Sequence, residues 1–380
     1  MLAHFVHHLV TAVPGPLLPM IRSEFALDYT RSGLVLSAFT VAYGLSQVPG
    51  GWLADRIGPR ILMTSGICGV AVAGLLVGLS RDYVILLACL ALMGLLGGGY
   101  HPSAPPIISG LVAPAHLGRA LGLHLTGGGA SYFMAPLLAA GMAAVLGWRG
   151  VFVGMAVPTL IFGVLFARYL ARWSRRPRGG GRQGGGQARE APSVTRLGRL
   201  VPFIFLSTCT GAIFISVISF IPLYLVDRFQ VDEKAAGAFL GIIYAAGLWV
   251  GPVAGHVSDR VGRIPMLVGV AFLSGPAMYL LGAVPFGWPY FLLLFATGVI
   301  VFIRMPVSES FIIGETAPRH RSTVLGIYFF GAMEGGGVLT PVMGHLIDGF
   351  GFSIGFAVAG GVMLLVTLAC SLALRAAHKG

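Results

Sequence analysis

Shifted by 204 positions against itself, the sequence matches without a gap, and this constant register constrains the fold more than any single motif. Phe25, Asp28 and Gly33 fall on Phe229, Asp232 and Gly237. Gly51, Asp55, Arg56 and Gly58 fall on Gly255, Asp259, Arg260 and Gly262, and Pro102 falls on Pro306. Ala113, Pro114 and His116 pair with Ala317, Pro318 and His320; Leu121, Gly122, Gly147 and Phe152 pair with Leu325, Gly326, Gly351 and Phe356. One offset held over that length means a duplicated unit, so the fold must be buildable from two copies of one architecture.

What is duplicated follows from composition. The 380 residues are 56% hydrophobic and 10% charged, whereas about a quarter of a soluble domain is charged. Apolar stretches of the roughly 20 residues needed to cross a bilayer as helix recur near 1–21, 33–54, 61–80, 83–109, 118–146 and 149–170. They return near 200–226, 237–258, 264–284, 288–313, 322–347 and 352–374. Continuous apolarity without period-two alternation selects helix over barrel. The expected fold is all-α, with twelve transmembrane helices in two six-helix pseudo-symmetric bundles, 1–170 and 200–380. A duplicated membrane protein of this kind points to a transporter whose substrate path lies between its halves. Between them, 171–199 carries Arg172, Arg175, Arg176 and Arg178, two Gly triplets and almost nothing apolar, and reads as a flexible linker. An anionic lipid contact through those arginines is the functional alternative.

When loops are assigned alternately to two sides, one side holds most of the 25 Lys and Arg and few of the 13 acidic residues. That side is expected to be cytoplasmic, with both termini on it, in the cell's inner (plasma) membrane. The net charge of +12 is then topology, and no nucleic-acid partner is expected. No charged leader precedes the first helix, so no cleavable signal is evident, although a longer native N-terminus stays open. Cys68, Cys89, Cys209 and Cys370 lie inside predicted helices without paired spacing and read as packing residues.

Gly51-Trp-Leu-Ala-Asp55-Arg56-Ile-Gly58-Pro59-Arg60 follows the second span, and Gly255-His-Val-Ser-Asp259-Arg260-Val-Gly262-Arg263 follows the eighth. These resemble the paired loop signature of the major facilitator superfamily, and the resemblance covers nearly the whole chain. It implies that Gly51 and Gly255 let two helices pack closely. Asp55 and Asp259 would meet a neighbouring helix N-terminus, and Arg56 and Arg260 would join a charge network. With Gly58 and Gly262 these are the expected conformational gate loops. Pro59 and Ile264 depart from the basic residues usual there. The resemblance further implies alternating access, a monomer, a small-molecule substrate, protons or another coupling ion, lipid neighbours, no cofactor and no enzymatic activity. Met93 stands where proton-driven drug exporters usually carry an Arg, and Met134–Gly141 is a degraded form of their fifth-helix signature.

Charges inside spans are costly and usually kept for a pathway or a partner. Arg304 precedes Met305-Pro306 in the tenth span, and its repeat partner is Tyr100, beside His101 and Pro102 in the fourth. The resemblance places both segments on a central cavity. Arg304 is expected either to hold an anionic substrate through its planar fork or to pair with Glu334 or Glu309. Glu334, in the eleventh span, is expected to couple protons or to serve as a counter-ion; Glu309 reads as a gate residue facing Arg319 or Arg321. His4 and His8 lie one turn apart, with His101 and His124 in later spans, and His titrates near neutrality. Arg304, Tyr100, His101, His8 and Tyr43 are the expected substrate contacts, and Glu334, His101 and His124 the expected proton-coupling groups. No metal site is expected. The runs Gly97–Gly99, Gly127–Gly129 and Gly335–Gly337 lack a following Lys-Ser or Lys-Thr and read as close helix contacts, not phosphate loops. Proton-driven export of amphiphilic drugs or metabolites is the alternative, favoured if Phe39, Tyr43, Tyr244 and Trp249 line the cavity. A non-transporting receptor or lipid-handling protein is the alternative of another class.

Overall fold

A computed structural model describes residues 1–109, 111, 117–174, 197–316 and 321–379, and among them every regular element is helical. In chain order these are α1 (Leu2–Thr11), α2 (Pro14–Phe25), α3 (Tyr29–Ile57), α4 (Pro59–Leu79), α5 (Tyr83–Gly97), α6 (Tyr100–Ser109) and α7 (Leu117–Ser174). They continue with α8 (Leu197–Ser219), α9 (Ile221–Phe229), α10 (Glu233–Ala236), a 3-10 turn at Gly237–Phe239, α11 (Leu240–Ala245) and α12 (Gly247–Val261). The last are α13 (Arg263–Ala283), α14 (Trp288–Glu315) and α15 (Arg321–Lys379).

Among the described residues, eight helical stretches are long and apolar enough to cross a membrane. Two of them, Leu123–Arg172 and Ile327–Ala377, are 50 and 51 residues long, each twice what one crossing needs. Each is interrupted at one glycine with positive φ, Gly147 (65°) and Gly351 (79°), so they count as four helices. With α1–α2 and α3 the total is the twelve expected. Large apolar side chains project outward along them, Val145, Leu79 and Trp249 among the most exposed, as a lipid-facing surface requires.

The repeat is visible in the backbone. Gly58 and Gly262 both adopt φ 98°, a conformation that penalises any side chain; each ends one helix and starts the next. Pro59, a departure from the superfamily pattern, stands at the first position of α4, where its missing N–H costs nothing. Ala26 and Gln230, again 204 apart, are the two non-glycine residues with positive φ among those described. Each closes a helix, with Leu27 N donating to Arg22 O and Val231 N to Leu225 O. Asp28 and Asp232 then cap the next helices, accepting from Arg31 N (2.6 Å) and Lys234 N (2.9 Å).

Four breaks depart from the expected spans, that of the fourth lying between α5 and α6 at Gly98 and Gly99. The first is split into α1 and α2 because Pro14 cannot donate to the preceding turn and turns Val13 away from helical backbone. The seventh is split at Phe220, ahead of Pro222. Between Glu233 and Val261 the eighth is built from short pieces around Gly237, Gly241 and Gly247. Helix also runs further than expected at the connector, to Ser174 on one side and from Leu197 on the other; residues 175–196 lie outside the described residues.

The chain divides into two compact units, one of Met1–Leu17 with Ala38–Arg189, the other of Leu18–Ser37 with Glu190–Gly380. The end of α2 and the start of α3 therefore group with the second unit. Asp348 explains part of this, because it accepts from Tyr29 N (2.8 Å), Thr30 N (2.8 Å) and Thr30 Oγ1 (2.5 Å). Arg22 pairs with Asp227 at 2.5 Å and lies over the Tyr29 ring, whose hydroxyl also donates to Asp227. Asp348→Ala leaves those first-turn donors of α3 without their acceptor. The expected cost is about 1 kcal/mol, read as a lower melting temperature in detergent; an unchanged one would show that water replaces the carboxylate.

Candidate functional site

In the first unit, α1 brings His4, His7 and His8 to one face, since positions i, i+3 and i+4 of a helix are neighbours. All three are buried. α5 ends at Gly97 and α6 begins at Tyr100, so Tyr100 and His101 enter from the first turn of a helix that starts inside the bundle. α7 contributes His124 and Tyr132. Its approach depends on bare backbone: a Cβ on Gly128 would stand 2.6 Å from His4 Cε1.

The result is a close-packed cluster of five imidazoles and three phenols. His4 stacks on His124 with centroids 4.3 Å apart, and its Nδ1 donates to the His124 carbonyl at 2.9 Å. His7 stacks on Tyr100 at 4.3 Å and its Nε2 meets the Tyr43 hydroxyl at 3.2 Å. His8 Nδ1 meets Thr11 Oγ1 at 3.2 Å, while its Nε2 stands 3.2 Å from His101 Nε2. Tyr132 packs on His8 at 5.1 Å. The structure thus brings together His8, Tyr43, Tyr100, His101 and His124 of the expected residues. It adds His4 as a central member and His7 as one the sequence reading missed, although its i+3 spacing from His4 was available.

In the second unit Arg304 is buried. Its Nη1 donates to Ser207 O (3.2 Å), Ser207 Oγ (3.4 Å) and the Tyr328 hydroxyl (3.0 Å). Ser207 is held in turn by Ser308, hydroxyl to hydroxyl at 2.7 Å. The guanidinium lies against Gly211, where a Cβ would come within 2.8 Å of Cζ. Its described hydrogen-bond partners are neutral, while the Glu309 carboxylate of the same helix lies close enough to feel its charge.

The offset of 204 makes the two sites equivalent positions of one architecture. Arg304 stands where Tyr100 does, Tyr328 where His124 does, and Gly211 where His7 does. His7 stacks on Tyr100 in the first unit; removing that ring at Gly211 creates the room for a guanidinium in the second. Tyr328, Ser207 and Gly211 were missed because each is ordinary in its own segment, yet the register with His124 and His7 pointed to two of them.

The side chains of Glu334, Asp55 and Asp259, with Gly255, lie outside the described residues, as do those of Arg319 and Arg321. Of the remaining loop residues, Gly51 approaches Pro102 Cβ, Arg56 stacks on Trp52 with Cζ 3.9 Å from the ring, and Arg260 is exposed. Trp249, one of the residues named for the aromatic drug-binding alternative, is 74% exposed.

A family model described as Major Facilitator Superfamily matches residues 1–306 and 244–379. The probable sulfoacetate transporter SauU of Cupriavidus necator is 25% identical over 378 residues, covering 92% of this chain and 86% of that protein. The multidrug resistance protein MdtG of Salmonella typhimurium is 27% identical over 338 residues, covering 88% and 82%. Among solved structures, a bacterial homolog of the human lysosomal transporter Spinster, inward-facing and occupied, superposes with a TM-score of 0.80 at 15% identity, covering 100% of this chain and 96% of that one. A peptide transporter of the POT type in complex with sulfate gives 0.79 at 15%, covering 100% and 94%.

Proposed function

The chain belongs to the Major Facilitator Superfamily, and on that premise we propose that it carries a small organic anion across the inner membrane by proton-coupled alternating access between its two halves. The observation that supports an anion is Arg304: a buried guanidinium, oriented by Ser207 and Tyr328 and given space by Gly211. Burying such a charge is expensive, and a planar fork oriented by hydrogen bonds to Ser207 and Tyr328 is suited to a carboxylate or sulfonate. The sulfoacetate relative is named for such a cargo. Glu334, in helical backbone of α15, is the group we assign to proton coupling, because carboxyls within membrane spans are the usual members of proton relays. The basic side of the membrane, with both termini, is cytoplasmic in this reading.

A second reading, proton-driven efflux of drugs, is favoured by the relationship to MdtG. The two separate in liposomes loaded with a pH dye and offered organic anions or cationic drugs, wild type beside Glu334→Gln. Anion-driven proton movement lost in the variant is expected. A response to cations alone would establish efflux, and anion flux without any pH change would remove the proton.

A further inference from the structure

Independently of the anion reading, we propose that His4, His8 and His101 form a binding site for a divalent transition-metal cation in the first unit. One ring nitrogen from each of the three lies within 4.8 Å of the other two. His8 Nε2 and His101 Nε2 are already 3.2 Å apart. Imidazole nitrogens about 2.0–2.1 Å from a shared tetrahedral ion stand roughly 3.3 Å from each other, so the separation of this pair matches that of two ligands of one ion. The three rings are mutual neighbours, with centroid separations of 4.8 Å (His4–His8), 5.1 Å (His8–His101) and 5.3 Å (His4–His101).

The outer contacts are those a metal site uses. A ligating histidine directs its second ring nitrogen to a carbonyl or other polar partner, which fixes the tautomer and the ring plane. His4 Nδ1 is bound to the His124 carbonyl and His8 Nδ1 meets Thr11 Oγ1, leaving Nε2 of each for the ion. Packing holds the rings: His124 stacks on His4, and Tyr132 lies on His8. Ligation uses the neutral imidazole. Three neutral nitrogen donors select zinc, nickel, cobalt or copper over magnesium or calcium, which require oxygen. They also leave a fourth position for water or an anionic oxygen.

The test uses the full chain purified with a tag free of histidine, in detergent, titrated with Co²⁺ and followed by its visible bands, and with Zn²⁺ by calorimetry. One ion per chain is expected, with the spectrum of low-coordinate cobalt. His8→Ala and His101→Ala should each weaken binding about 100-fold or more, beyond the 10–100-fold typical of an outer-contact change. His345→Ala, at an exposed histidine outside the cluster, should leave it unchanged. His101→Cys replaces one ligand by another and should retain binding while adding thiolate charge-transfer absorption, which guards against loss of fold as the cause. Absence of saturable binding in wild type overturns the proposal. So does binding that survives both alanine variants, or a cobalt spectrum identical in His101→Cys.

Discussion

Gly94→Ala and Gly298→Ala are each expected to remove most of the folded protein recovered from membranes, although each adds a single methyl group. The two glycines are 204 apart and occupy the same crossing in each half. A Cβ on Gly94 would press on the Phe39 carbonyl and come within 2.8 Å of Tyr43 N; one on Gly298 would press on the Ile243 carbonyl. Phe39 and Ile243 are themselves repeat partners. The obstacle is helix backbone, which cannot swing aside as a side chain does, so α5 must part from α3 and α14 from α11. Overpacking typically costs 1–3 kcal/mol and occasionally more, and lost contact along a whole helix pair lies at the upper end. Gly141→Ala and Gly361→Ala make the control, because a Cβ there meets nothing within 4 Å; in a helix interior that change is worth up to about 1 kcal/mol of stabilisation. Fluorescence-detected gel filtration and melting temperatures decide: equal recovery of all four variants would mean that the crossings tolerate separation.

Arg304→Lys should lose anion transport almost as fully as Arg304→Ala, more than tenfold in kcat/KM, because the ammonium keeps the charge but not the planar fork. Tyr328→Phe should fall between. It removes one neutral acceptor from Nη1, and a hydrogen bond to a charged group is worth roughly 1.5–3 kcal/mol, about tenfold or more if orientation is what the bond supplies. The loss should appear in KM when Arg304 binds substrate in its resting state, and in kcat when it acts during the access change. Anion transport at wild-type rate by Arg304→Ala would make the residue structural and remove its assignment as the substrate contact.

The fold was legible because the duplication and the apolar period both act along the chain. Gly58, Gly262, Gly147 and Gly351 were visible as paired positions before any coordinate, and they end or interrupt helices as pairs. The site was less so. His8, His101, His124 and Tyr43 stood out as polar residues in apolar spans, but their convergence depends on the close approach of α1 to α7 at Gly127 and Gly128 and on the helix restart at Tyr100. Those are long-range facts that local pattern does not carry. Tyr328 and Ser207 were invisible for the opposite reason, being polar residues common in membrane helices until a guanidinium gives them a task. The grouping of Leu18–Ser37 with the second unit rests on side chains such as Asp348 and Asp227, hundreds of positions away.

Gly147 and Gly351 carry a practical consequence. From Leu117 to Ser174 and from Arg321 to Lys379 the backbone is helical apart from one glycine in each stretch, so neither corner offers a strand of free chain. A protease has nothing extended to grip there, and an antibody has no loop to enclose. An inserted epitope or fluorophore would first have to unwind the turns on both sides. Labels that need a non-helical attachment point belong at the chain segment around Ala26–Asp28 or its counterpart at Gln230–Asp232, where helix has already stopped.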